Sequence, residues 1–126
     1  MLAHGMTDES RLNDHPVRGV DRDNGAVVIH LTGELDLYNA PEMRAALLEL
    51  CSEQPERLVV DLGEVAFVDS TALGVLIEAR TKLEDRTKFL LAAPGLETHR
   101  ALSISGLDQH LAVHETVDAA LAAKLK

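Results

Sequence analysis

Val65-Ala66-Phe67-Val68-Asp69-Ser70-Thr71-Ala72-Leu73-Gly74-Val75-Leu76-Ile77 joins two apolar runs of different period. The first reads as a strand end. The second, from Thr71 to about Leu83, reads as a helix, with Leu73, Leu76, Ile77 and Arg80 on one side and Lys82, Glu84 and Asp85 outward. Small polar residues at such a junction suit a helix N-cap. They also put the Ser70 hydroxyl at the positive end of a helix dipole, where a phosphate is stabilised. Gly74 lies inside the helical run at a cost of roughly 1 kcal/mol relative to Ala, so it is expected to mark a close backbone approach, if only to a neighbouring strand.

Outward from this junction, the pattern alternates strand and helix. Pro16–Arg22 and Ala26–Leu35 read as strands around Asp23-Asn24-Gly25, a hairpin turn in which Asn and Gly accept positive φ. Val27, Ile29 and Leu31 fall on one strand face; Val28, His30 and Thr32 fall on the other. A lone histidine there reads as a half-exposed strand residue rather than a ligand. Asn39-Ala40-Pro41-Glu42 reads as a capping box opening a helix that carries Met43, Leu47, Leu50 and Cys51 and ends near Gln54-Pro55. Arg57–Leu62 is a buried-type strand, followed after Gly63-Glu64 by the run that leads into Ser70. Lys88–Ala92 is a strand stopped by Pro94-Gly95, Leu96–Ile104 a helix capped by Gly106, Leu111–His114 a short strand, and Thr116 the cap of a last helix. The order β-β-α-β-α-β-α-β-α predicts an α/β fold. Its sheet is mixed and mostly parallel, with an N-terminal β-hairpin, about four helices and right-handed crossovers. The rim beyond the carboxyl ends of the strands, where such sheets carry their sites, then gathers Glu34, Asp36, Asp69 and Ser70.

Bulk properties narrow the function. A chain of 126 residues forms one domain, with residues 1–15 expected to be a flexible tail and residues 16–126 the folded unit. No Trp, one Tyr and two Phe leave an aliphatic core. A mean hydropathy of +0.00 and the absence of a spanning apolar run predict a soluble protein. Met1 to Ser10 lacks the basic-then-apolar pattern of an export signal, so a cytoplasmic protein is expected. A net charge of −9 without a Lys/Arg cluster disfavours nucleic acid and anionic membrane as partners and suits a protein with basic surface. The lone Cys51 excludes an internal disulfide and reads as a buried small hydrophobe.

Enzymatic readings fail on spacing. Ser70 sits in D-S-T-A-L-G rather than G-x-S-x-G, and neither a phosphate-binding P-loop nor a dinucleotide fingerprint is present. No histidine pattern pairs with Ser70. His110 and His114, if extended, stand about 13 Å apart, too far to share a metal. Asp61 at a strand end is reminiscent of a receiver-domain phosphoacceptor. That class also needs an acidic pair after the first strand and a lysine after the last. Here the first strand runs into Asp21-Arg22-Asp23 and no lysine stands near Val113-His114-Glu115.

G-E-L-D at Gly33–Asp36, V-V-D-L at Val59–Leu62 and F-V-D-S-T-A-L-G-V-L at Phe67–Leu76, in this order, resemble the STAS domain, and within it the bacterial anti-sigma factor antagonists. The resemblance covers about Val17 to Leu121. It implies a STAS fold and a regulator without catalysis or cofactor. It makes Ser70 the residue phosphorylated by a partner anti-sigma factor with GHKL-type serine kinase activity, with Thr71 a secondary acceptor. It implies a PP2C-type phosphatase that reverses the modification. Glu34, Asp36, Asp69, Ser70, Thr71, Ala72 and Gly74 are the expected partner-binding residues, Ala72 standing where many members have Gly. The alternative under the same resemblance is a non-phosphorylated STAS scaffold or transporter-associated subunit.

Overall fold

The computed structural model describes residues 15–125. The expected 1–15 tail therefore lies almost wholly outside the described residues. Strands β1 (Val17–Asp23) and β2 (Ala26–Leu35) form the hairpin; α1 (Ala40–Ser52), β3 (Arg57–Val68), α2 (Ser70–Thr81), β4 (Phe89–Ala92), α3 (Leu96–Ser105), β5 (Ala112–His114) and α4 (Val117–Ala122) follow. Asn24 and Gly25 take positive φ of 52° and 88°, as the two-residue hairpin turn requires. The sheet order is β1-β2-β3-β4-β5, antiparallel at β1–β2 and parallel elsewhere. This is the predicted mixed α/β sheet.

Because the strands follow one another in a single direction across the sheet, right-handed crossovers put α1, α2 and α3 on the same face. There Val27, Ile29, Leu31, Leu58, Val60, Leu62 and Leu91 pack with Met43, Leu47, Leu76 and Leu102 in one aliphatic core. The opposite face is thinner: Val28, Val59, Leu90 and Ala92 pack under Ala120 of α4. Arg57, at the start of β3, secures this helix by donating from Nη1 to the carbonyls of Ala120 (2.7 Å) and Ala123 (2.9 Å).

Three expectations are corrected. First, β3 does not end at Leu62 but runs unbroken to Val68, with irregularities in its register opposite His30–Thr32 and Gly33–Glu34. Gly63 and Glu64 interrupt the apolar run, which is why the pattern ends the strand before them. Pairing with β2 carries them in the strand instead, with Gly63 in the register irregularity and Glu64 opposite Thr32, and the Gly63 N–H is taken by Asp61 Oδ1 at 2.9 Å. Second, Asn39 occupies the cap position of α1 but makes no side-chain cap bond to it. Third, a methyl added at Gly74 meets nothing within 4 Å, so the glycine does not mark a close approach inside the fold.

Candidate functional site

The site grows from the end of β3. Asp69 leaves the strand in extended geometry (φ −94°, ψ 179°), its N–H bonded to the Leu35 carbonyl at 3.0 Å, and α2 starts at once. Its carboxylate has two duties. Oδ1 accepts from the Ala72 N–H at 2.9 Å, satisfying one of the free donors of the first turn. Oδ2 accepts from the Leu37 N–H at 3.1 Å, tying the loop between β2 and α1 to the start of α2.

That loop is itself hydrogen-bonded throughout. Asp36 Oδ1 accepts from the N–H groups of Tyr38 (3.0 Å) and Asn39 (3.3 Å). Asn39 Oδ1 accepts from the Asp36 N–H at 2.9 Å, and Asn39 Nδ2 donates to the Glu34 carbonyl at 2.7 Å. Asn39 is thus spent on the loop rather than on the helix, since the backbone groups turned toward it there belong to Asp36 and Glu34. The sheet register then places Glu34 opposite Phe67 and Leu35 opposite Val68 on the same rim.

Ser70 is the first residue of α2 and exposed; among the described residues no group hydrogen-bonds its Oγ. Thr71 and Gly74 are exposed beside it, Gly74 one turn further along the same face. Of the acidic residues expected on this rim, Asp36 and Asp69 are occupied in holding backbone, and Glu34 is exposed near the end of β2. Ala72 departs from the expectation: its side chain is fully buried in the core, so it offers a partner no surface. The sequence reading missed Leu37 and Tyr38, which stand 64% and 80% exposed on the loop. The available signal was an apolar pair between two loop-forming residues, Asp36 and Asn39, outside any periodic run.

Two other groups that drew notice in the sequence are accounted for. Cys51 is buried, its thiol donating to the Ala79 carbonyl at 3.3 Å, and burial pushes its pKa up to about 11. His30 is more than a plain strand residue. Its Nδ1 lies 2.6 Å from Asp61 Oδ2 and its Nε2 2.7 Å from Asp21 Oδ2, linking β1 and β3 across β2. Burial opposes the charged ring, but the hydrogen bonds and charges of Asp61 and Asp21 outweigh it and raise the His30 pKa.

Geometrically, this is a small α/β domain that displays an exposed serine on a hydrogen-bonded rim. Residues 19–120 match the STAS domain family, and the chain belongs to that family. It is 34% identical over 98 residues to the anti-sigma-F factor antagonist RsfB of Mycobacterium tuberculosis, covering 78% of this chain and 80% of that one. The crystal structure of an anti-sigma factor antagonist from Mycobacterium paratuberculosis superposes with a TM-score of 0.77 at 33% identity, over 82% of this chain and 88% of the other. The fold is also that of Bacillus SpoIIAA, solved unphosphorylated and phosphorylated. The TM-scores are 0.67 and 0.62 at 22% identity, over 82% of this chain in each case and 91% and 95% of the respective SpoIIAA chains.

Proposed function

We propose that this protein is a cytoplasmic anti-sigma factor antagonist. In its unmodified form it binds an anti-sigma factor, which then releases its sigma factor, and phosphorylation of Ser70 by that partner's GHKL-type kinase activity ends the binding. A PP2C-type phosphatase restores the competent form. The observation that carries this reading is the presentation of Ser70. Its hydroxyl is exposed and unbonded on the first turn of α2, on a platform fixed by Asp69. The names of the relatives support the partner class.

The physics of the switch is local. A phosphate adds about −1.5 to −2 charges at pH 7. The helix N-terminus favours it by about 0.3–1 kcal/mol, so the fold accommodates the modification. A partner surface shaped for a neutral hydroxyl does not. The added group brings bulk and a charge that must be desolvated, beside Asp69 in a protein of net charge −9. Like charges 4 Å apart repel by about 1 kcal/mol in water and about 4 kcal/mol at an effective dielectric of 20. Since 1.4 kcal/mol is about tenfold in affinity, one modification is enough to end binding.

Incubation of the protein with ATP and the source organism's purified anti-sigma factor kinases, followed by mass spectrometry, tests the assignment. One phosphate on Ser70, absent from Ser70→Ala, is the expected result. Stable binding to these partners without any phosphorylation would instead favour a scaffold role for the same rim.

A further inference from the structure

The chain has three aromatic residues, and only Phe89 is spent on the core. Tyr38 is 80% exposed, preceded by the 64% exposed Leu37. We propose that Leu37 and Tyr38 form the apolar anchor by which the unmodified protein docks, and that they enter an apolar pocket of the anti-sigma factor rimmed by Lys and Arg side chains. This rests on the function proposed above and names the part of the surface that supplies its affinity.

Rigidity is the first argument. Loops that carry two large apolar side chains into water commonly relax to cover them. Here the Leu37 and Tyr38 N–H groups are held by Asp69 and Asp36, and Asn39 bonds back to Asp36 and Glu34 on either side. The two side chains are therefore displayed before binding, and little ordering cost remains to be met on association. A rigid Tyr with an adjacent Leu has the makeup of an interface hot spot.

Position is the second argument. The Leu37 N–H sits 3.1 Å from the carboxylate of Asp69, the residue directly before Ser70. A partner seated on Leu37 and Tyr38 therefore lies against the Ser70 hydroxyl, where an added phosphate obstructs it. Charge is the third. The carboxylates of Asp36 and Asp69 hold the pair's own N–H groups, so the complementary rim is cationic, and an Arg guanidinium both pairs with these carboxylates and stacks on the Tyr38 ring. Among the described residues the other apolar side chains more than 60% exposed, Leu96 at 73% and Ile104 at 80%, stand singly at opposite ends of α3 rather than as an adjacent pair.

The test titrates wild type, Leu37→Ser, Tyr38→Ser, Tyr38→Phe and Ile104→Ser with each recombinant anti-sigma factor kinase of the source organism. Circular dichroism first confirms that each variant is folded. The proposal expects wild type to bind one kinase, Leu37→Ser and Tyr38→Ser each to bind it at least about tenfold more weakly, and Tyr38→Phe and Ile104→Ser to stay within about tenfold of wild type. Tyr38→Ser should also lower kcat/KM for phosphorylation of Ser70. Wild type binding while both serine variants stay within about tenfold overturns the anchor and leaves the proposed function standing. The same holds if Ile104→Ser weakens binding as much as Tyr38→Ser. Failure of wild type to bind any of them overturns both.

Discussion

Replacing Asp69 separates its two duties. In Asp69→Ala the Ala72 N–H loses its cap acceptor, a loss of about 1 kcal/mol in typical helices. The Leu37 N–H loses a charged acceptor too; such bonds are worth about 1.5–3 kcal/mol, but water replaces this one on an exposed loop, leaving roughly 1 kcal/mol. Together these give about 2 kcal/mol. At about 3–5 °C per kcal/mol, between the ranges for smaller and larger domains, the melting midpoint falls by about 6–10 °C. Asp69→Asn keeps the cap oxygen but turns an amide toward the Leu37 N–H, so it loses about 1 kcal/mol. Urea unfolding followed by two probes measures both losses. Hydrogen exchange assigns them: Asp69→Asn should expose the Leu37 amide while the Ala72 amide stays protected. Asp69→Ala within about 0.5 kcal/mol of wild type, or unchanged protection at Leu37, would refute the view that this carboxylate ties the loop to the helix.

Gly74→Ala should stabilise the protein by about 0.5–1 kcal/mol, because the added methyl faces open space on a helix; destabilisation in urea would contradict this. His30 has a raised pKa, so its charge contributes stability that is fully present below the unfolded value near 6.5 and is lost as pH rises through the higher folded value. The stability difference between wild type and His30→Gln, measured from pH 5 to 9, should therefore shrink with rising pH; a constant difference would exclude the linkage. Arg57→Ala should lose about 1–3 kcal/mol and loosen α4, read as faster exchange of the amides from Ala120 onward. Cys51 should resist thiol reagents in the native state and react on unfolding; rapid native modification would contradict its burial.

The hairpin, the alternation of strands and helices and the junction at Ser70 were legible because each has a local cause. Asn24-Gly25 demands positive φ, and apolar periods of about two and 3.6 differ over a few residues. What escaped the sequence depends on neighbours distant in the chain. Gly63-Glu64 stays in the strand only because β2 pairs beside it, and Asn39 chooses the loop because Asp36 and Glu34 offer it partners. Gly74 signals no contact within the domain, which only the empty space around it reveals. Leu37 and Tyr38 lie in a segment without periodicity, where nothing in the pattern distinguishes a buried pair from a displayed one. Nor does the pattern show the structural work of the expected site residues: Asp36 and Asp69 hold backbone in place, and Ala72 serves the core.

The central claim is that one hydroxyl governs binding. Isothermal titration of the recombinant anti-sigma factor kinase with unmodified protein and with protein phosphorylated stoichiometrically at Ser70 tests it most directly. The account predicts tight binding of the unmodified form, retained in Ser70→Ala, and affinity at least about 100-fold weaker for the phosphorylated form. Equal affinity of the two forms would contradict it.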